Sequence, residues 1–492
     1  MQPELLGRRR PGRSPQPFLL ASCAAFIALG LPAYGAQALS SNPAVVNPSA
    51  PQVVPGLVIP DRPLVIAASG PCQPAQHWDP NMGMCMTSQG TAPQKGKAPQ
   101  PAETAPQANG SVTMGSPPAC PSGQRWDAGR NMCAPDEPVP KASLMLHLNQ
   151  FAIYSRTSGP RGQSRWTGPG TWMLTYGNDI TPHNHLSINV MASPEPWTVG
   201  DKGTPQLLQT EHIDNMHAHD TVMALEFRDA VAFGSDDSQK LTFLFAPRGQ
   251  AAVGPVPFMH RESAAGNPDA PLGHALQDGF HDASTVLGVE YQVARTTFEI
   301  TGFSGQGITR PFPIHRIDSY GVRLNRDLTD HVRVGASFAD ALLPDDAGGA
   351  QHNQFVSGWL TTSHGRPGAT LKTSFIWGET RAGHDAFLSS FLEEAVYQRG
   401  KNNFYGRAET LQITPSQLEL LTSNGDEGAR WVAAFTLGYE RTLFTRNGLS
   451  LFGGGSYTKD IVPTAFRPAY GSDPAGGKLY MRIRYMGSRE WF

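Results

Sequence analysis

The stretch "DNMHAHDTVMALEF", residues 214–227, places two histidines and two aspartates within seven residues, directly before an apolar run. Imidazole is a common ligand of transition metals, and a nearby carboxylate can bind the same ion or orient the ring. In an extended strand, the side chains of His217 and His219 would point to one side and could reach one ion. Asp220 adds a carboxylate beside them. The segment predicts a metal site, a catalytic base, or a polar loop that leads into a strand.

More histidines and aspartates lie in the polar stretch between residues 248 and 283. They could complete a metal site, or they could only hydrogen-bond a long loop to its surroundings, because "HAHD" alone lacks a full set of metal-ligand spacings. Asp278 and Asp282 are available as further oxygen acceptors. The candidate metal ligands are His217, His219, Asp220, His260, His274 and His281.

The amino terminus has the layout of a secretory signal peptide. Arginines between residues 8 and 13 precede an apolar stretch from Phe18 to Leu31, and Ala36-Gln37-Ala38 offers a cleavage site with small residues. The apolar stretch is too short to span a bilayer. Residues 1–38 are therefore predicted to be removed during export.

Residues 39–141 form a Pro-, Ala- and Gln-rich arm that contains a repeat. "CQPAQHWDPNMGMC" and "CPSGQRWDAGRNMC" share Gln, Trp-Asp and Met-Cys at equal offsets. In an oxidising compartment this pattern predicts two local disulfides, Cys72–Cys85 and Cys120–Cys133, each stabilising its loop by roughly 3 kcal/mol. The alternative is a soft copper(I) site, since methionines flank the cysteines. The rest of the arm has too few apolar residues for a packed core.

Residues 142–492 have the composition of an exported β protein. The formal net charge of the whole chain is −2, which gives no indication of a nucleic-acid partner. Glycine is abundant at 52 residues, and charged residues make up only 16% of the chain. Either a soluble all-β protein or a membrane β-barrel would fit.

Period-two alternation distinguishes these two classes. In the segment 430–440, Leu437 belongs to an apolar face with aromatic residues at its ends, whereas Thr436 belongs to a small and polar face. Ile483 and Arg482 alternate in the same way near the carboxyl terminus. An apolar outer face with aromatic girdles and a polar interior is typical of outer-membrane barrels. We therefore expect Leu437 and Ile483 to face lipid, and Thr436 and Arg482 to face the lumen.

Sixteen segments between residues 142 and 486 show this alternation, and long and short connections follow one another in turn. Short periplasmic turns and long outer loops produce such a rhythm. The sequence predicts an all-β fold, a transmembrane antiparallel β-barrel of about 16 strands (12–16) in the outer membrane of a Gram-negative bacterium. The arm would lie in the periplasm. The expected partners are membrane lipid, lipopolysaccharide and, through Phe492, the barrel-assembly machinery.

The chain also resembles a family of uncharacterised proteobacterial outer-membrane proteins from Leu144 to about Leu411. The shared motifs are "HAHD" at 217–220, "GPVPFMHRES" at 254–263, "NPDAPLGH" at 267–274, "QDGFH" at 277–281 and "IDSYGVRL" at 317–324. Such proteins are often encoded near copper or heavy-metal resistance functions, so the resemblance implies copper or another transition metal as the cofactor. Two positions depart from the family: Ala218 replaces a proline, and Ala275 replaces a second histidine.

Three functions remain open at this point. A channel or metal-handling surface protein with a histidine-rich outer rim is the first. An outer-membrane lipid hydrolase is the second, because His260 and Ser263 supply a base and a nucleophile, although no Gly-x-Ser-x-Gly elbow precedes the serine and no catalytic residue is assigned. A diffusion pore is the third, since charged residues of both signs are expected along the lumen.

Overall fold

The computed structural model describes residues 142–491, apart from residues 235–236, 306–311, 313, 345–348, 384 and 422–426, together with four short backbone segments of the arm. The arm segments form two antiparallel hairpins, Gln76–Asp79 with Met84–Thr87 and Gln124–Asp127 with Met132–Pro135. The repeated sequence thus adopts a repeated backbone. The predicted signal peptide, the predicted disulfides and Phe492 lie outside the described residues and side chains.

Sixteen antiparallel strands close into one barrel, as the alternation predicts. Each strand pairs with the next along the chain, and the last pairs with the first. The short strand Ser164–Thr167 extends the ladder of the second strand along the first. The strands are β1 (Ala142–Thr157), β2 (Gly170–Thr181), β3 (Asn184–Ala192), β4 (Val222–Phe233), β5 (Gln239–Gly249), β6 (Ala283–Val293), β7 (Thr296–Ser304), β8 (Ser319–Thr329), β9 (Val332–Pro344), β10 (Ala350–Arg366), β11 (Ala369–Ala382), β12 (Leu388–Arg399), β13 (Asn402–Ile413), β14 (Arg430–Arg446), β15 (Leu449–Ile461) and β16 (Ala475–Trp491).

The connections at the two ends of the barrel differ in length. One end, here the turn end, has short links such as residues 182–183 between β2 and β3, and it also holds the first residue of β1 and the last of β16. The other end, the loop end, carries longer loops. The two that matter most are the second loop, residues 193–221, and the third loop, residues 250–282. The predicted rhythm of the connections is confirmed.

In the part of the chain that the structure describes, helices lie in the connections between strands and are one turn or less. Among the residues that the structure describes, none is a helix long and apolar enough to cross a bilayer. The α-helices are α1 (Glu195–Thr198), α2 (His274–Gln277) and α3 (Arg467–Tyr470), and the 3-10 segments are Phe258–His260, Glu262–Ala264, Ser416–Leu418 and Thr464–Phe466.

The two faces of the barrel wall differ as the alternation predicts. Leu437 and Ile483 are 73% and 48% exposed on the outer face, whereas Thr436 and Arg482 are 4% and 5% exposed on the inner one. The apolar outer face is continuous around the wall, because leucine, phenylalanine and tryptophan side chains on successive strands are similarly exposed. A surface of this kind suits lipid rather than water.

The inner face carries ion pairs between neighbouring strands. Arg323 lies 2.6 Å from Glu299, and Arg407 lies 3.1 Å from Glu394. Charged groups with so little exposure to solvent are stable only when they are paired and hydrogen-bonded. These pairs join neighbouring strands on the luminal side of the wall without a contribution from the loops.

The third loop folds into the lumen and is bound to the wall by buried contacts. Arg261 donates hydrogen bonds to Glu394 of β12 at 2.5 Å and to Asp278 of the loop itself at 2.9 Å. Farther along, the Leu272 amide donates to Glu409 of β13 at 2.7 Å, and the Tyr480 hydroxyl of β16 donates to a loop carbonyl. The start of the loop is bound to the opposite side of the wall, where the Ala252 amide donates to the Thr301 hydroxyl of β7 at 2.8 Å, so the loop crosses the lumen.

One glycine allows the start of this loop to approach its own end. Gly254 has φ +71°, and a Cβ atom there would overlap the carbonyl oxygen of Gln277. Its amide donates to the Ser337 hydroxyl on β9 at 2.8 Å. A side chain at this position would both strain the backbone and separate the two parts of the loop.

Candidate metal centre

Four imidazole rings from the second and third loops meet at the loop end of the barrel. The ring centroids of His217 and His219 are 5.0 Å apart, and those of His274 and His281 are also 5.0 Å apart. The two pairs are joined by a 5.3 Å separation between His219 and His281 and one of 6.5 Å between His217 and His274. We call these four residues the imidazole cluster.

Different local structures position the two pairs. In the second loop, Asn215–Met216 pairs with Thr204–Pro205, and the chain then runs through His217 and His219 before β4 begins at Val222. The "HAHD" segment is therefore irregular and not the extended strand considered from the sequence. The two rings still lie side by side.

The third loop supplies the other pair of imidazoles. His274 begins the one-turn helix α2, and His281 lies two residues before β6. Phe258, from the first part of the same loop, packs edge-on against the His274 ring with centroids 5.4 Å apart. The cluster thus holds the two loops together and forms part of the packed interior of the barrel.

Buried carboxylates orient two of the rings. The Nδ1 atom of His219 lies 2.8 Å from Oε2 of Glu195, which also accepts the His219 amide at 2.7 Å. The Nδ1 atom of His274 lies 2.5 Å from Oδ1 of Asp278. A carboxylate that accepts from Nδ1–H leaves the lone pair on Nε2, the arrangement commonly found behind metal-binding histidines.

The opposite ring nitrogens have no partner among the described residues. Nε2 of His219, Nε2 of His274 and both ring nitrogens of His281 are buried without a hydrogen bond. Leaving one buried polar group unpaired costs roughly 1–3 kcal/mol. These nitrogens on neighbouring rings are therefore available to bind a group other than protein.

Glu211 adds a carboxylate to the cluster. One ligand atom from each of Glu211, His217 and His274 lies within 4.8 Å of the other two. In the structure as described, Oε2 of Glu211 is 3.1 Å from Nε2 of His217. These three residues offer ligand types that suit a first-row transition-metal ion, and their ligand atoms are grouped closely enough to make them candidates for one site.

The charges within the cluster are divided unequally. Burial disfavours the charged imidazolium, but the hydrogen bond and the negative charge of Glu211 outweigh it and raise the pKa of His217 to about 9. The same contact lowers the pKa of Glu211 to about 2, against the effect of burial. At His281, burial and the neighbouring imidazoles lower the pKa to about 3. His281 is therefore neutral at physiological pH, as a metal ligand must be.

Two of the six predicted ligands lie outside the cluster. Asp220, whose side chain is 61% exposed, pairs with Arg248 at 3.0 Å. That guanidinium also binds Asp282 at 2.9 Å, so it links the end of the second loop to the end of the third. His260 turns toward the barrel wall, where its Nε2 lies 3.3 Å from Sδ of Met191.

Two acidic residues of the site were missed from the sequence, and a third was named without its partner. Glu211 and Glu195 lie in the second loop, where no periodic pattern marks which side chains turn inward. Asp278 was singled out only as a general acceptor, although its position four residues after His274 was the available signal for a contact across one helical turn.

The residues of the hydrolase alternative are separated. The Ser263 hydroxyl donates to Glu394 at 2.8 Å and lies 2.6 Å from the hydroxyl of Ser374. His260 contacts Met191 instead. The serine is buried in a hydrogen-bond network that joins the third loop to the wall. His260, three residues earlier, contacts a methionine and is not placed to act as the base for this hydroxyl.

No protein-family model matches the chain, and no curated protein matches its sequence. Solved structures similar to it include an anion-selective porin from Comamonas acidovorans, with 12% identity over 70% of this chain and 100% of that one and a TM-score of 0.46. Another is OmpF of Salmonella typhi in complex with daunomycin, with 10% identity, 69% and 97% coverage and a TM-score of 0.44. A third is OprB of Pseudomonas putida, with 10% identity, 70% and 94% coverage and a TM-score of 0.44.

Proposed function

We propose that this protein is an outer-membrane barrel that binds a transition-metal ion between its second and third loops. The apolar outer face supports the membrane location, because an exposed surface of that extent would aggregate in water. The loop end would face outward and the turn end the periplasm, as in barrels whose short turns are periplasmic.

The observation that carries the metal proposal is the set of unpaired ring nitrogens in the imidazole cluster. A role limited to loop docking would leave these buried atoms unsatisfied, at a cost that grows with each one. A bound ion would satisfy them, and the carboxylates behind His219 and His274 would hold the rings in the required tautomer.

The ligand types favour a borderline divalent ion such as Zn²⁺ or Cu²⁺. Imidazole nitrogen together with one carboxylate oxygen suits these ions better than Ca²⁺ or Mg²⁺, which prefer oxygen alone. Metal–nitrogen bonds of about 2.0–2.1 Å place two imidazole centroids roughly 5 Å apart, close to the 5.0 Å separations in the cluster.

A passive diffusion pore is the less favoured function. Barrels of 16–18 strands can leave an aqueous channel, but here the third loop crosses the lumen through contacts with β7 on one side and β16 on the other. Charged residues that face the lumen form ion pairs with one another, as Arg323 does with Glu299 and Arg407 with Glu394. We propose metal handling by a closed barrel rather than unassisted diffusion.

The test is a Zn²⁺ and Cu²⁺ competition titration on the full chain, folded in detergent. The His217→Ala/His274→Ala variant should lose at least a hundredfold in affinity, since it removes two of the three ligand atoms that lie within 4.8 Å of one another. His183→Ala/His185→Ala is the matched control, because both residues are near the short turn between β2 and β3. Equal affinity in both variants would refute the proposal.

A further inference from the structure

A row of sulfur- and nitrogen-bearing side chains crosses four neighbouring strands on the inner wall. In the strand register, Met486 of β16 lies opposite His147 of β1, His147 lies opposite Met173 of β2, and Met173 lies opposite Met191 of β3. Directly opposed residues have Cα atoms about 4.5–5.5 Å apart. We call these four residues the methionine row.

The row is inclined relative to the barrel axis. His147 is the sixth residue of β1 counted from the turn end, whereas Met191 is the second-last residue of β3 at the loop end. Strands in barrels are tilted by about 35–45°, so a line that follows the hydrogen-bond direction rises along the wall. The row therefore leads from the turn-end half of the lumen toward the imidazole cluster.

Further soft ligands lie near Met191, at the end of the row closest to the loop end of the barrel. Met191 packs with Met223 of β4 and with Met259 of the third loop. Nε2 of His260 is 3.3 Å from Sδ of Met191, and its Nδ1 is buried without a partner. Three thioethers and one imidazole thus lie in one cluster between the wall and the third loop.

Simple packing does not account for this composition. Methionine is a common filler of irregular cores, but the row also contains His147, and His260 sits among the thioethers with one nitrogen unsatisfied. The row also borders open space. A cavity of about 410 Å³ is lined by His147, Met486, Met259 and His260, and it extends to His219 of the imidazole cluster.

The ligand chemistry of the row favours a soft monovalent ion. Charged residues of both signs line the cavity, so its charge alone does not select the ion. Thioether sulfur is neutral and polarisable, and it selects soft ions such as Cu⁺ over Zn²⁺.

We propose that Met173, Met191, Met223, Met259 and His260 form a second metal site, specific for a soft monovalent cation of the cuprous or silver type. The site is separate from the imidazole cluster and does not depend on a metal binding there. No redox change is involved: the ion exchanges solvent ligands for thioether and imidazole ligands. Because both sites open onto the same cavity, an ion can reach either from one space.

The test uses Ag⁺ as an air-stable probe, with Zn²⁺ for comparison, on the full chain folded in detergent and in chloride-free buffer. Met173→Leu/Met191→Leu removes two thioethers with little change in volume. Ag⁺ affinity should fall at least tenfold, while Zn²⁺ affinity stays within twofold of wild type. Met481→Leu, at a methionine 43% exposed on the outer face, is the matched control and should bind Ag⁺ normally.

Two further measurements separate this site from the imidazole cluster. In the His217→Ala/His274→Ala variant, Ag⁺ binding should persist even when Zn²⁺ binding is lost. If Ag⁺ binding instead disappears there and survives in the leucine variant, the second site does not exist, although the first still can. In wild-type protein labelled at methionine methyl groups, one equivalent of Ag⁺ should shift the Met173 and Met191 resonances. Unshifted resonances would overturn the proposal even if the leucine variant failed to fold.

Discussion

The Nδ1 atom of His274 lies 2.5 Å from Oδ1 of Asp278, four residues farther along the third loop, and both side chains are buried. Asp278 also accepts a hydrogen bond from Arg261, which is itself bound to Glu394 on the wall. The orientation of one imidazole in the cluster is thereby coupled to the contact that holds the third loop in the lumen.

Asp278→Asn should weaken metal binding without removing a ligand. An amide oxygen is a poorer acceptor than a carboxylate, so the Nε2 lone pair of His274 becomes less basic and its ring less constrained. Loss of such a supporting carboxylate typically costs 10–100-fold in metal affinity. Zn²⁺ competition measures the change. Asp220→Asn, at an exposed partner of Arg248, should leave the affinity unaltered, and an equal loss in both variants would contradict the assignment.

Metal binding should release protons at neutral pH. The pKa of His217 is about 9, so this imidazole is protonated at pH 7.5 and must lose its proton before it can bind an ion. Affinity should therefore rise by about one log unit per pH unit near pH 7, and the rise should level off above about pH 9. Calorimetry in buffers of different ionisation enthalpy should detect about one proton released per ion at pH 7.5. In Glu211→Gln the pKa of His217 should fall, and the proton release should decrease with it; release that does not change would be inconsistent with this contact.

Opening the lumen should require removal of the third loop. Wild-type protein is expected to show almost no conductance in planar bilayers, because the loop crosses the lumen between its contacts with β7 and β16. Replacing residues 258–276 with a short glycine linker should produce stable open channels. The matched control is a replacement of residues 415–420, which lie in another loop of the loop end. Large conductance in the wild type would contradict a closed barrel.

Ile483→Arg should destabilise the barrel by roughly 2–4 kcal/mol if this position lies near the centre of the bilayer. Ile483 is 48% exposed on the apolar outer face, where a guanidinium would have to be buried in lipid. Ile483→Val is the control, with a much smaller change expected. The free energy of unfolding in lipid vesicles gives the magnitude, and heat-modifiable migration on a gel reports whether the barrel has formed. Recovery of the wild-type protein from the soluble periplasm would exclude the membrane location altogether.

Mature protein should contain two local disulfides, Cys72–Cys85 and Cys120–Cys133. The two hairpins of the arm place Cys85 and Cys133 on equivalent strands, each opposite a tryptophan. Closure of each short loop should stabilise its hairpin by roughly 3 kcal/mol. Peptide mass mapping without reduction provides the measurement. Four free thiols, or a link between Cys85 and Cys120, would contradict the pairing.

The strands could be predicted from sequence because each one has two chemically different faces. At Thr436 and Leu437 the alternation of one small polar and one apolar residue reports directly on lumen and outer surface. The same reasoning applies to every strand of the wall, and the predicted barrel of about 16 strands (12–16) agrees with the closed barrel observed.

The site was only partly predictable, because its geometry depends on two loops without periodicity. The clustering of His217, His219, His274 and His281 followed from their concentration in two loops of the same end. Sequence could not show that Glu195, 24 residues before His219, turns back to bind it, because that contact depends on the path of the whole second loop. For the same reason, the sequence placed His260 with the other histidines of these loops, although its ring turns toward Met191.

The pairing of β16 with β1 joins residues more than 300 positions apart, through a continuous register from Gly476–Thr157 to Trp491–Ala142. Until that seam forms, β1 and β16 each present a free edge of unpaired amide and carbonyl groups, and such edges recruit strands from other chains. Because contacts this distant in sequence form slowly, closure is the step most exposed to misassembly. A variant that shortened β16 would thus be harmful less through the few contacts it lost than through the intermolecular sheets it would permit.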